Sequence, residues 1–381
     1  MFALTQSLRR AVQTRPNGVS TIFGATRRTW MQTADRVARI AGALSALGVR
    51  RGDRIAILAL NSDRYFELLY AVPWIGAVAV PLNTRLAAPE IEYILEDSGA
   101  VALFVDAAMS VHLPALAGRM PAVRTVIWLD DTPLPTGAKG FEELAAHTPT
   151  ADVGAHDGEV AGLFYTGGTT GRSKGVMLTH TNLVVNALNA VAGIGFNGDT
   201  TYIHSGPMFH LADTASTFAV TMAAGRHVFV PRFDPVDTLA AIQAEKVTNA
   251  TLVPTMVNMV VNHPRFAEFD VSSLKLVLYG ASPMPEGVIR KAMAVMPRVR
   301  FMHAYGMTEA APIVTLLDPR YTTLEGPYAG KHKSCGQTAH SVEVKVVDAD
   351  RRELPRGTPG ELAIRGANII DRKITLLNSS H

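Results

Sequence analysis

The chain carries one cysteine, Cys335, in 381 residues. A single thiol builds no internal disulfide framework and fits a reducing compartment, so the expected location is cytoplasmic. Long apolar runs are missing too. The best candidate, YAVPWIGAVAVPL at Tyr70–Leu82, is broken by two prolines and falls short of the ~18 residues a spanning helix needs. Charge of one sign is nowhere concentrated. Charged residues make up 18% and the net charge is +3, which gives no reason to expect a nucleic-acid partner. Acidic residues are absent before Asp35, whereas Arg9, Arg10, Arg15, Arg27 and Arg28 precede it. That pattern is shared by mitochondrial transit peptides, but Leu4–Val12 also reads as an ordinary surface helix, and the second reading is preferred here. No fixed-period repeat or low-complexity segment is present.

What the sequence does have is material for a large interior, with 48% hydrophobic residues. Helical and strand periodicities alternate along most of it. Ala34–Leu47 has apolar residues three and four apart and stops at Gly48. RIAILAL at Arg54–Leu60 reads as a strand covered on both faces. Asn61 and Ser62 can cap the helix that follows, AVAVPL reads as a strand, Pro89–Asp97 as a helix and Val101–Val105 as a strand. The same rhythm returns from Asn182 (helix), through TYIHS (strand), Leu211–Ala223 (helix), RHVFVP (strand), Val236–Glu245 (helix), NATLVP and Leu274–Gly280 (strands) and Glu286–Met296 (helix), to VRFMHAYG as a final strand. Strands alternating with helices predict an α/β fold of two stacked, doubly wound, mostly parallel sheets over residues 1–330. After Gly330 the period becomes two. SVEVKVVDADRRELPRGTPGELAIRG predicts a small antiparallel, barrel-like β subdomain over 331–367. Asp130–Gly140 reads as a surface loop.

One short stretch carries most of the chemistry. YTGGTTGRSKG at Tyr165–Gly175 packs four glycines, four threonines or serines and a lysine into eleven residues, directly after the apolar run AGLFY. Glycines let backbone N–H groups converge on one point, and such a nest of donors binds phosphates. Thr166, Thr169, Thr170 and Ser173 add hydroxyls, and Lys174 adds a positive charge. The loop is expected to follow a strand and precede a helix beginning near Asn182, a usual ligand position in an open α/β sheet. It is neither a Walker A loop, because Lys174 follows Ser173 and the helix starts later, nor GxGxxG.

YTGGTTGRSKGVMLTH resembles the signature loop of the adenylate-forming superfamily: acyl- and aryl-CoA synthetases, luciferases and peptide-synthetase adenylation domains. Gly167 stands where the family usually has serine, and Ser173 where it has proline. GDRIAILALN at Gly52, GAVAVPLNTRL at Gly76, GPMFH at Gly206, YGASPMP at Tyr279, YGMTEAAP at Tyr305 and GELAIRG at Gly360 extend the resemblance from Leu4 to Ala367. It implies that ATP and Mg²⁺ are used to join a carboxylate to AMP, and that coenzyme A then takes the acyl group. By the resemblance, Thr166, Gly167, Gly168, Thr169, Thr170, Gly171 and Lys174 hold the β- and γ-phosphates. Tyr305 lies against adenine with Gly306 beside it, Thr308 bonds the α-phosphate and Glu309 helps hold Mg²⁺. Gly280, Ala281 and Ser282 sit by adenine and the acyl group, and His303 faces the adenine amino group. His210, in PMFH, stands beside the carboxylate and thioester path. Thr166, Lys174, His210 and Glu309 are the implied catalytic residues. Read alone, Glu309 fits a solvated carboxylate near a helix start and His210 a packed or surface histidine; the surrounding motifs favour the site roles. His204 and His210 lack a zinc-type partner.

The segment Leu211–Gly225 is small and apolar with no arginine or lysine, which points to a fatty or aromatic acid rather than a dicarboxylate, with a fatty acid preferred. Ordinary helix packing would use the same residues. The family also carries a further domain after GELAIRG, together with a ribose-binding aspartate and a hinge. Here Ala367 is followed by NIIDRKITLLNSSH, in which Asp371-Arg372-Lys373 only faintly matches the hinge. The expectation is therefore a large N-terminal domain with a non-family tail over 368–381 and impaired full turnover. Two other functions stay open: an amino-acid-activating domain, for which an aspartate near Phe233–Asp234 would face the amine, and a non-catalytic nucleotide-binding paralogue. The oligomeric state is open, with a homodimer among the options.

Overall fold

The computed structural model describes residues 2–156, 158–167 and 172–370, with the backbone of 373–374. Two large sheets dominate it. One has eight strands in the order Lys373–Ile374, Lys174–Thr179, Val160–Thr166, Val78–Pro81, Arg54–Leu58, Ala100–Val105, Thr125–Trp128 and Lys139–Gly140. The other has nine, in the order Gln337–Thr338, Ile313–Leu317, Arg300–Gly306, Leu276–Gly280, Asn249–Thr251, Thr201–His204, Arg226–Phe229, Val19–Phe23 and Thr26–Thr29. Both are parallel through their middles and antiparallel at one or both ends.

Side chains alternate in face along a strand, and here that alternation builds the layers. Ile55 and Ile57 enter the central core while Ala56 and Leu58 enter an outer one. Tyr202 joins the central core and Ile203 the outer core on the far side. Helices Trp30–Ala46, Asp63–Trp74, His180–Ile194 and Leu211–Met222 supply the rest of the central core and so lie between the sheets. Their starts follow local chemistry. Thr29 and Thr179 each form a capping box, with Gln32 and Asn182 respectively, and Ser62 accepts from the Tyr65 amide. The two stacked α/β layers expected from the sequence are present.

Four expectations need correction. The glycine loop precedes its helix as expected, but only through a strand that was not expected. It joins Val160–Thr166 to the antiparallel strand Lys174–Thr179, and the helix begins only at His180. Arg300–Gly306 is not the last strand of its sheet, because Ile313–Leu317 pairs antiparallel beside it. The region after Gly330 closes no barrel among the described residues. It contains a two-stranded ribbon, Val342–Val347 with Glu361–Gly366, whose Val342, Val344 and Ile364 pack on the central core. The N-terminal helix, Gln6–Thr14, is more than a surface element: Leu8 and Ala11 are fully buried. The hairpin Val19–Phe23 with Thr26–Thr29, which the sequence reading passed over, closes one edge of the nine-stranded sheet.

Candidate functional site

A cavity of about 340 Å³ opens where the strands Asn249–Thr251, Leu276–Gly280 and Arg300–Gly306 end. The carboxyl edge of a parallel sheet is where such folds bind ligands. Its floor is formed by Thr251, Leu278–Ala281 and Ala304–Thr308. One wall is the helix His180–Ile194, which presents Asn186, Ala190 and Ile194 at intervals of four. The opposite wall is the helix Leu211–Met222 and the turn before it, with Gly206, Pro207 and His210.

Backbone crowding shapes the floor. A β-carbon on Gly280 would stand 2.3 Å from the Ala304 carbonyl oxygen, and one on Gly306 would stand 1.9 Å from that of Pro312. Any side chain there would push the strands apart. Next to Gly280, Ala281 holds a left-handed backbone with φ 65°. The result is two side-chain-free positions in the floor, at Gly280 and at Gly306 beside Tyr305.

The PMFH turn is held by a residue from the other sheet. Asn61 Nδ2 donates to the carbonyl oxygens of His204, Gly206 and Val230, and its Oδ1 accepts from the Met208 amide at 2.8 Å. Asn61 was expected to cap a helix. Ser62 does that, and Asn61 pins the cavity wall instead. His210 stands immediately before the helix Leu211–Met222 and lines the cavity mouth, where it is open to solvent on one side. Protein packed around the rest of its ring, and then the Arg85 charge, lower its pKa, which favours a neutral imidazole at neutral pH.

Beneath this wall runs a buried polar chain absent from the sequence reading. Asp213 lines the cavity and accepts from His204 Nδ1 at 2.6 Å. His204 Nε2 meets His227 Nδ1 at 2.9 Å, and His227 Nε2 meets Thr221 Oγ1 at 3.1 Å. The other Asp213 oxygen accepts from Tyr202 Oη. Burial, and then His204, hold the His227 pKa far below its usual value. A neutral tautomer series satisfies the whole chain: His204 donates to Asp213, His227 donates to His204, and Thr221 donates to His227. No local spacing rule predicts these pairs, because His227 belongs to a different strand from His204.

The residues named from the sequence fall into three groups. His210, Gly280, Ala281, Tyr305, Gly306 and Thr308 line the cavity. Ser282 and His303 do not; Ser282 is exposed, and His303 stacks on Tyr279 at 5.1 Å while its Nδ1 donates to the Ser334 carbonyl oxygen at 3.2 Å. Thr166 and Lys174 face each other in register at the loop end of the hairpin, and Gly167 follows Thr166. Gly168, Thr169, Thr170 and Gly171 lie outside the described residues. The hairpin strand Lys174–Thr179 packs against the Thr308–Ala310 turn, which brings the two sheets together at this seam, and the Glu309 carbonyl oxygen accepts from the Ile370 amide at 3.0 Å. Below the loop, Tyr93 Oη donates to the Ser173 carbonyl oxygen at 3.3 Å, and the Arg172 guanidinium lies 5.4 Å from the Tyr93 ring centre. Asp234 lies outside the cavity lining and caps the helix Pro235–Glu245, accepting from the amides of Val236 and Asp237. No group of three or more metal-ligating side chains occurs among the described residues, and no helix there is long and apolar enough to cross a membrane.

Known proteins match the chain over most of its length. The AMP-binding enzyme family matches residues 8–371. A feruloyl-CoA synthase from an Amycolatopsis species is 35% identical over 363 residues, 95% of this chain and 69% of that protein. An indoleacetate–CoA ligase from Aromatoleum aromaticum is 30% identical, covering 90% of this chain and 66% of the relative. Among solved structures, the inhibitor-bound N-terminal domain of FACL13 from Mycobacterium tuberculosis superposes with a TM-score of 0.87 at 28% identity, covering 98% of this chain and 91% of that one.

Proposed function

The chain belongs to the AMP-binding enzyme family, and from that premise we propose that it activates an apolar monocarboxylic acid, aromatic or fatty, as an acyl-adenylate destined for coenzyme A. The observation that carries this is the meeting of two parts. One is an apolar cavity with no lysine or arginine in its lining among the described residues; the other is the Thr308–Ala310 turn at its edge, packed against the hairpin that bears Lys174. A second carboxylate on the substrate would find no cation in the cavity and would face Asp213, which counts against dicarboxylates. The relatives named for feruloyl and indoleacetate substrates support the aromatic option, and a long-chain-fatty-acid–CoA ligase from Mycobacterium tuberculosis, 32% identical over 76% of this chain, supports the fatty one.

In the reaction, a carboxylate oxygen of the acid attacks the α-phosphorus of ATP, and the bond to pyrophosphate breaks. The protein's work is mostly positioning and charge stabilisation. The residues suit the nucleotide. The side-chain-free floor at Gly280 and Gly306 admits a flat base beside Tyr305. Thr308 offers a hydroxyl to the α-phosphate, and Lys174 offers charge to the leaving pyrophosphate. Mg²⁺, when bound, neutralises phosphate charge; with no acidic cluster among the described residues, it would rest on Glu309 and phosphate oxygens, a normal arrangement for this ion. His210, neutral at the cavity mouth, stands where the acyl group would meet the incoming thiol and can accept its proton.

Thermal unfolding with a non-hydrolysable acyl-sulfamoyl-adenosine tests the proposal. At ~100 times its Kd such a ligand adds about 2.7 kcal/mol of stability. A shift no larger than that from AMP alone would defeat the acid-activation reading. Glycyl- and phenylalanyl-sulfamoyl-adenosine serve as the amino-acid arm. That reading has lost its sequence rationale, because Asp234 is spent on a helix cap.

A further inference from the structure

Both ends of the glycine loop are tied to one buried carboxylate. The helix Ala88–Ser98 packs on the outer core of the eight-stranded sheet and carries Tyr93 and Asp97 one turn apart. Asp97 is 8% exposed, and among the described residues its side-chain partners are two tyrosine hydroxyls rather than a lysine or arginine. Its Oδ2 accepts from Tyr165 Oη at 2.5 Å. Its Oδ1 lies 3.5 Å from Tyr93 Oη, which also reaches the Ser173 carbonyl oxygen at 3.3 Å. Tyr165 immediately precedes Thr166, and Ser173 immediately precedes Lys174, the two residues that face each other across the hairpin.

The hairpin makes room for this contact. Tyr165 stands opposite Gly175, where a β-carbon would lie 3.2 Å from Tyr165 Cζ and 2.8 Å from Leu163 Cδ1. Packing alone gives no reason for the carboxylate. Phenols do not cancel its charge, and an apolar side chain would join helix to sheet without the cost of burying it. The same helix holds another loop cation, since the Arg172 guanidinium lies over the Tyr93 ring.

We propose that Asp97 is a positioning residue for the phosphate loop. Through Tyr165 it fixes the end that bears Thr166, and through Tyr93 the end that bears Arg172 and Lys174. Holding both ends before the nucleotide arrives lowers the ordering cost of binding a triphosphate. The inference rests on the nucleotide part of the proposed function and adds residues that act through Thr166 and Lys174 without touching the ligand. The short contact at Tyr165 carries more of the effect than the long ones at Tyr93.

The test is calorimetric titration of the full chain with AMP, with the β,γ-imido analogue of ATP and Mg²⁺, and with cinnamoyl- and decanoyl-sulfamoyl-adenosine. Tyr165→Phe keeps the ring and removes the donor. It is expected to weaken the ATP analogue about tenfold, while ligands without β- and γ-phosphates stay within about twofold. Asp97→Asn should act alike, and Tyr93→Phe should cost only about threefold. Combining Asp97→Asn with Tyr165→Phe should add little to either alone, because both break one bond. If Tyr165→Phe does not fold, Asp97→Asn and Tyr93→Phe carry the test. An unchanged ratio of ATP-analogue to AMP affinity would overturn the assignment. Equal weakening of every ligand would also do so, leaving Asp97 a role in the fold alone. A wild-type chain that binds the ATP analogue no more tightly than AMP would overturn it too, since there would be no triphosphate grip to position. Acid activation is judged separately: it falls if neither sulfamoyl-adenosine binds the wild type better than AMP, and the ATP-to-AMP ratio still decides the role of Asp97.

Discussion

At Gly306 a β-carbon would stand 1.9 Å from a carbonyl oxygen and at Gly280 2.3 Å from another, whereas at Gly167 it would meet nothing within 4 Å. The same residue type thus does two different jobs on two sides of one site. On the cavity side, glycine is demanded by the protein's own backbone, and the ligand surface follows from that close packing. On the hairpin side, no described residue crowds Gly167, and under the proposed function small size there leaves room for the nucleotide. The cavity floor is therefore part of the core's architecture, while the hairpin tip is set apart from it. Substitutions should divide along that line: losses of folding on one side, losses of nucleotide affinity on the other.

The largest effect is expected at the floor. Gly306→Ala should cost about 3 kcal/mol, the upper range for forced overpacking, read as a lower urea midpoint with an unchanged slope. A near-neutral result would mean that the strand can shift aside and would remove the contrast. Next comes acid sensitivity at the far end of the hairpin. His180 Nδ1 accepts from the Leu4 amide at 3.1 Å and so must be unprotonated. Burial lowers the His180 pKa from 6.5 to about 4. The unfolded chain takes up this proton below pH ~6.5 and the folded chain does not, so this stability is whole above that pH and is lost as pH falls towards ~4, up to ~3 kcal/mol. His227 adds to the same slope. Urea titrations between pH 7 and 4.5 should show the loss, and His180→Gln, which can still accept from Leu4, should flatten it. An identical slope in that variant would assign the effect elsewhere.

Asn61→Ala should cost about 2 kcal/mol by stripping partners from four buried backbone groups. Because those groups hold the PMFH turn, it should also weaken binding of the acyl-sulfamoyl-adenosine more than that of AMP. Equal weakening would place Asn61 in general stability only. The smallest effect on folding belongs to Gly167→Ala, under ~0.5 kcal/mol, with a clear loss of ATP affinity. If it unfolds the protein as Gly306→Ala does, the two glycines are alike and the comparison fails.

Much of this was readable along the chain. Helix starts at Thr29, Ser62 and Thr179 follow capping chemistry that needs only neighbours a few residues away. The parallel strands announced themselves as apolar runs, and the motif glycines at Gly280 and Gly306 marked the cavity floor. Misreadings came where local pattern was ambiguous. KGVMLT is short and follows a polar loop, so its six-residue strand was absorbed into a presumed loop-to-helix turn. The ribbon after Gly330 has the right period, but period two specifies a strand and not whether its sheet closes.

By itself, the sequence determined the alternation of elements, their capped ends and the glycine motifs, because these depend on forces acting within a few residues. Only the tertiary structure decided that Asn61 would reach across 147 residues to Met208, and that Asp213, His204 and His227 would form one buried chain. The physical reason is that a polar side chain's partner is chosen by what packing brings within ~3 Å, and that choice is made by the whole fold at once.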